Sequence, residues 1–199
     1  MKKPLIFVLL LMVTLEGSSQ SNTKEVAVLG AGCFWCVEAV FQELKGIETV
    51  ESGYMGGTID KPTYKQVCTG TTGHAEVARI TFDPAIVSFK EVLEVFWKTH
   101  DPTTLNRQGA DVGTQYRSAV FYLNNKQKEE AEYYKKRLTE SGAYSAPIIT
   151  EIVAATKYYP AEDYHQDYYS LNPNQGYCQY VIQPKLEKFR AAFKDKLKE

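Results

Sequence analysis

The chain has 199 residues, 23 Lys and Arg against 24 Asp and Glu, 44% hydrophobic side chains and four cysteines. A net charge of −1 excludes the basic footprint of a nucleic-acid binder or a polybasic membrane protein. Four unevenly placed cysteines (33, 36, 68 and 178) are too few to staple a disulfide scaffold, so chemistry explains them better.

In chain order, Met1-Lys2-Lys3-Pro4 precedes an apolar run from Leu5 to Leu15 that is too short to span a bilayer comfortably. With Gly17-Ser18-Ser19-Gln20-Ser21 behind it, this reads as a bacterial-type export signal over residues 1–21, cleaved near Ser19 or Ser21. A periplasmic or secreted location is therefore expected. Removing Met1 to Ser19 takes away Lys2, Lys3 and Glu16, leaving 21 basic and 23 acidic side chains. The remaining chain, residues 22–199, is the right size for one domain with a real core.

Glu25 to Leu29 reads as a strand ending at the tight turn Gly30-Ala31-Gly32. Val37, Val40, Phe41 and Leu44 then recur at helical spacing up to Lys45-Gly46. Ile47 to Tyr54 is a strand, a polar loop follows through Pro62, and His74 to Phe82 alternates as a strand until Asp83-Pro84. Ser88 to Glu91 spells a capping box for a helix whose apolar face is Phe89, Val92, Leu93 and Phe96. After a long irregular loop, Ser118 to Leu123 is a strand, Asn124 or Asn125 caps a charged helix to about Glu140, and Ile148 to Ala155 is a further strand. Between Val26 and Leu123 the order is β-α-β-β-α-β, which predicts an α+β domain with a ferredoxin-like split βαβ plait. A C-terminal helical extension follows: one helix starting at Pro160 in the Tyr-rich tail Lys157 to Asn172, and an amphipathic helix opened by Pro184 with Leu186, Phe189, Phe193 and Leu197 inward.

Cys33 falls at the strand-to-helix junction, where the helix dipole would lower its pKa and populate thiolate. Its alternative is a small buried hydrophobe. The spacing Cys33-x-x-Cys36 admits a zinc site, a thioredoxin-like dithiol, or a nucleophile with a resolving thiol nearby. Zinc lacks a second ligand pair, because His74, His100 and His165 are scattered. The thioredoxin order of elements does not fit, which leaves the nucleophile. Phe34 and Trp35 would form an apolar slot beside the sulfur, suited to a methyl or thioether group. Period two puts Glu76 on the face of Ala78, Ile80 and Phe82, either at a wet sheet edge or desolvated and able to hold a proton. Tyr64 and Tyr116 offer phenols near strand ends. Dithiol–disulfide exchange on protein disulfides, or non-enzymatic binding of apolar segments through Phe34 and Trp35, are the competing readings.

The motifs Gly32-Cys33-Phe34-Trp35, Ser52-Gly53-Tyr54-Met55-Gly56-Gly57, Pro62-Thr63-Tyr64, Gly73-His74-Ala75-Glu76 and Asp111-Val112-Gly113-Thr114-Gln115-Tyr116-Arg117-Ser118, with Phe96-Trp97 and His100-Asp101-Pro102, resemble the peptide methionine-S-sulfoxide reductase family, MsrA. The resemblance implies Cys33 as nucleophile, Phe34 and Trp35 around the substrate methyl, and Glu76, Tyr64 and Tyr116 around the sulfoxide oxygen. It also implies Asp111 in the same pocket. Attack would leave a sulfenic acid on Cys33 that a second thiol condenses to a disulfide, reopened by an external thioredoxin-like thiol with no bound cofactor and no metal. The expected enzyme is a monomer acting on methionine sulfoxide in peptides and proteins. Cys36 replaces a glycine and Val112 a histidine common in the family, and the tail enters a helix where many members continue in glycines. Cys178 matches the usual resolving position and is favoured, with Cys36, one helical turn from Cys33, as the alternative. Cys68 is read as structural.

Overall fold

The computed structural model describes residues 23–198, so the expected export signal lies outside the described residues. Its plait core runs β1 (Glu25–Ala31), α1 (Phe34–Gln42), β2 (Ile47–Met55), α2 (Tyr64–Val67), β3 (Ala75–Phe82), α3 (Phe89–Thr99), a two-residue ribbon of β4 (Arg107–Gln108) and β5 (Asp111–Val112), and β6 (Ser118–Tyr122). Then follow α4 (Asn125–Ser141), β7 (Glu151–Ala154), β8 (Tyr159–Pro160), α5 (Tyr168–Leu171) and α6 (Gln183–Ala192). The six-stranded sheet has the order β7-β6-β1-β3-β2-β8. Its four central strands, β6-β1-β3-β2, pair antiparallel throughout, which is the split βαβ arrangement the sequence predicts. β7 adds to the edge in parallel. Among the described residues, no helix is long and apolar enough to cross a membrane.

Alternation explains the two sheet faces. Ala27 and Leu29 of β1, with Ala78, Ile80 and Phe82 of β3, face a core shared with α1, α3 and α6. Val28, Ala75, Val77, Ala119 and Phe121 face a thinner layer closed by Ala155 and Tyr158. The thick core holds Phe34, Phe41, Phe82, Phe96 and Phe189, all essentially buried, and truncating one such ring to alanine costs about 3–5 kcal/mol.

Local signals account for most boundaries. At α3, Ser88 Oγ accepts the Glu91 N–H at 3.3 Å and Glu91 Oε2 accepts the Ser88 N–H at 2.9 Å, the capping box expected there. Asn124 Oδ1 accepts the Gln127 N–H at 2.9 Å to start α4, and Gly142 ends it in the left-handed region.

The structure departs from the sequence reading in three places. β1 runs on to Ala31, which shortens the glycine turn to Gly32. Directly after the polar loop, where the sequence reading assigns no element, lies α2, capped by a second box in which Thr63 and Gln66 exchange bonds. The tail is not one helix from Pro160: it forms β8, a 3-10 turn (Asp163–His165) and the short α5. Its backbone is claimed by β2 instead. The Ala161 N–H donates to Ser52 O at 2.9 Å, and Gln166 accepts the Ser52 N–H and donates back to Ser52 O, both at 2.9 Å. Gly53 permits this approach, because a Cβ there would lie 2.3 Å from the Tyr158 ring. Asp167, at φ 51°, then breaks the helical path. A π-helical turn (Cys178–Ile182) leads into α6, and Leu197 lies beyond that helix, bridged to Leu44.

Candidate active site

The site is built around the N-terminus of α1. Gly32 turns the chain at φ 90°, and any Cβ there would sit 2.6 Å from Gln108 Cβ, so only glycine lets the β4–β5 ribbon close over the turn. Cys33 is the N-cap residue and makes no side-chain cap bond. The first free amide of the helix, Phe34 N–H, instead donates 3.1 Å to Glu76 Oε2 on β3.

Glu76 is 1% exposed, which decides between the two sequence readings in favour of desolvation. Its other oxygen, Oε1, has no hydrogen-bond partner among the described residues. Burial pushes the carboxyl up to about 8, with the Asp111 and Cys36 charges adding to the push and the Phe34 N–H opposing it. A carboxyl in this state is a proton donor at neutral pH.

The thiols behave differently from the sequence expectation for Cys33. Burial pushes the Cys33 thiol well up, helped by Cys36 and by the Glu76 charge. That burial opposes the pull of the helix start on the sulfur. Cys36 is drawn down to about 7, first by its hydrogen bond with Cys33 and further by the charge of Lys185. Both line a cavity of about 140 Å³ with Gln108, Gly109, Ala110, Asp111, Tyr177, Val181 and Lys185. Cys36 Sγ lies 3.7 Å from the Tyr177 hydroxyl, which donates to Asp111 Oδ2 at 2.6 Å. A larger neighbouring groove of about 630 Å³ contains no thiol and meets this cavity at Gln108, Val181 and Lys185.

Aromatic groups wall the other side. Trp35 stacks on Tyr168 with ring centroids 3.6 Å apart, and its indole N–H donates to His165 Nδ1 at 3.1 Å. That bond places the imidazole proton on Nε2, which is buried without a partner among the described residues. Phe34 packs 5.1 Å from His165, 5.8 Å from Tyr54 and 6.3 Å from Tyr64. Burial pushes the Tyr64 and Tyr116 phenols up, with the charge of Glu76 adding to each, so both remain donors. Tyr64 is fixed at its backbone: its N–H and the Tyr54 hydroxyl hold the two oxygens of Glu162, each at 2.9 Å.

Cys33, Phe34, Trp35, Cys36, Tyr64, Glu76, Asp111 and Tyr116 thus share one neighbourhood. Cys178 is fully buried in the π-helical turn, burial pushes its thiol up, and it does not line the cavity. Cys68 is exposed, at the end of α2; partial burial pushes its thiol up, opposed by its hydrogen bond with Tyr64. The sequence reading missed His165, Tyr168, Tyr177, Tyr54 and Glu162. The tail's tyrosine density was the available signal. Among the described residues no cluster of His, Cys, Asp or Glu could hold a metal ion.

A buried thiol pair beside a proton-holding carboxyl and an aromatic slot, on a split βαβ plait, defines a cysteine-dependent oxidoreductase. Residues 25–197 match the family model described as peptide methionine sulfoxide reductase, and the chain belongs to that family. It is 56% identical over 175 residues to peptide methionine sulfoxide reductase MsrA 1 of Rhodopirellula baltica, covering 88% of this chain and 90% of that one. Among solved structures, reduced Mxr1 of Saccharomyces cerevisiae superposes with a TM-score of 0.74 at 32% identity, over 80% of this chain and 92% of that one. Methionine sulfoxide reductase A of Corynebacterium diphtheriae gives 0.70 at 38% identity, over 81% and 80%. Mxr1 in complex with Trx2 shares the fold, with a TM-score of 0.52 at 20% identity over 75% of this chain and 87% of that one.

Proposed function

We propose that the chain reduces methionine S-sulfoxide, free and in peptides, at the head of α1. Supporting this most directly is Glu76: a carboxyl with its pKa near 8, one oxygen bonded to the amide next to Cys33 and the other unpartnered. A sulfoxide oxygen leaves sulfur only as it gains a proton. In the reaction the free Glu76 oxygen, with Tyr64 and Tyr116, meets the sulfoxide oxygen, while Phe34 and Trp35 take the methyl group. Glu76 gives its proton to the oxygen as the Cys33 sulfur, losing its own, bonds to the substrate sulfur. The hydroxyl then passes to the Cys33 sulfur as the bond between the two sulfurs breaks, its electron pair stays on the substrate sulfur, methionine leaves, and the proton lost by the thiol restores Glu76, with Cys33 left as sulfenic acid.

Cys36 is the resolving thiol in this reading, ahead of Cys178. The support is that Cys36 shares the cavity wall with Cys33 and is drawn toward thiolate, whereas Cys178 is buried and does not line that cavity. A thioredoxin-like dithiol then reopens the disulfide, a reading supported by the yeast protein having been solved with Trx2. Export rests on Lys2-Lys3 and the apolar run from Leu5 to Leu15, and N-terminal sequencing of protein from the producing cell tests it. A reductant in the same compartment is then required.

The function is tested by offering both sulfoxide epimers with a dithiol: one epimer is consumed, and equal consumption of both, or of neither, refutes the reading. Cys36→Ser treated with one equivalent of sulfoxide accumulates sulfenic acid; if Cys178→Ser accumulates it instead, the resolving role moves to Cys178.

A further inference from the structure

Cys36 is surrounded by groups of opposing effect. On its own helix Cys33 lies one turn back. Asp111 of β5 brings negative charge and Glu76 of β3 a carboxyl that holds its proton at neutral pH, while Tyr177 and Cys178 approach from the π-helical turn. The Asp111 carboxylate is engaged by the Tyr177 hydroxyl at 2.6 Å. One cation faces this set: Lys185, in the first turn of α6 behind Pro184, half-buried and lining the same 140 Å³ cavity. Among the described residues it forms no ion pair, unlike Lys24, Lys98, Lys157 and Lys196, which each have a carboxylate within 4 Å. With no carboxylate within 4 Å, Lys185 shares its cavity wall with the two thiols and Asp111, and its charge also reaches the buried His100 on its other side.

We propose that Lys185 is a positioning residue for the second half of the cycle, holding Cys36 as the thiolate that attacks the Cys33 sulfenic acid. The inference rests on the proposed function with Cys36 as resolving thiol. In the step it serves, the Cys36 sulfur bonds to the Cys33 sulfur, the S–O bond of the sulfenic acid breaks, and the oxygen leaves as hydroxide. That hydroxide regains the proton Cys36 had given to solvent and departs as water. No further reductant enters until the disulfide is reopened. The lysine charge draws Cys36 down and is not among the main influences on Cys33. Its effect therefore falls on disulfide formation more than on release of methionine.

The test is single turnover with one equivalent of methionine S-sulfoxide, following methionine release and loss of sulfenic acid separately from pH 5 to 9. In Lys185→Met, the midpoint of the disulfide-forming step moves up by roughly one pH unit, a slowing of about fivefold at pH 7, and exceeds any change in methionine release. Lys185→Arg restores the profile. Coincident pH profiles for wild type and Lys185→Met overturn the proposal. A second measurement is independent of turnover: thiolate absorbance of Cys36 in Cys33→Ser titrates higher when Lys185→Gln is added, and an unmoved titration overturns the proposal. Failure of the underlying reading looks different, as a wild-type enzyme that releases no methionine or a Cys36→Ser variant that still resolves its sulfenic acid.

Discussion

Two of the helices that pack on the sheet, α1 and α3, begin in opposite ways. α3 starts with Ser88 and Glu91 exchanging bonds within three residues, so its free amides are satisfied locally. α1 starts with Cys33, which caps nothing, and its Phe34 amide reaches across to Glu76, 42 residues away. A local cap serves the helix alone. A cap borrowed from the sheet ties a carboxyl to the residue beside the thiol and leaves one oxygen unmatched in a dry place. The buried polar groups follow the same division. Below α3, His100 donates and accepts through both ring nitrogens, to Phe96 O at 2.6 Å and Ser118 Oγ at 2.7 Å, whereas Glu76 Oε1 and His165 Nε2 beside α1 are unpaired.

The sharpest way to break the contrast is Cys33→Ser, which supplies α1 with the kind of cap α3 already has. Turnover falls by at least about 10⁴-fold, while stability in denaturant rises by ~0.5–1 kcal/mol; a serine variant less stable than wild type contradicts the capping account. Next in size is Glu76. Glu76→Ala lowers kcat/KM about 10²–10³-fold, and Glu76→Gln, which still donates a hydrogen bond, about tenfold. Equal losses in the two variants exclude the acid role. The pH dependence follows from the same residue, since activity that needs a protonated Glu76 falls as pH rises through about 8. Its folded pKa stands above the unfolded value, so its contribution to stability is complete at acid pH and is lost as pH climbs toward 8. The Tm of wild type relative to Glu76→Gln therefore drops between pH 5 and 9. The smallest effect belongs to the ordinary helix start: Ser88→Ala costs ~1 kcal/mol and leaves kcat/KM unchanged.

Much of this was legible in the sequence because it is local or periodic. The plait order, the Ser88 capping box and the face carrying Glu76 all follow from spacing. Whether that face was wet or dry did not, because Glu76 is desolvated by groups contributed from α1 and from the ribbon around Asp111. Cys33 shows the same limit, since the helix start is visible in the sequence and the burial that pushes its thiol up is not. The Thr63-x-x-Gln66 box is a local signal of the same kind, just past the polar loop that ends at Pro62. The tail was misread for a different reason. Its path is dictated by Gln166 and Tyr158 bonding to the β2 backbone more than a hundred residues earlier, an arrangement with no periodic trace.

The far end of α1 is held as deliberately as its start. Lys45 N–H donates to Lys196 O and Lys198 N–H to Glu43 O, each at 2.8 Å, Arg190 pairs with Glu43, and Lys196 reaches Glu91 and Glu94 on α3. These contacts form a clasp between the two helices, fastened by the stretch 194–198. Opening the clasp by trimming that stretch speeds amide hydrogen exchange along the last turn of α1, so slack introduced at one tip of the molecule travels down the rod whose other tip carries the thiols.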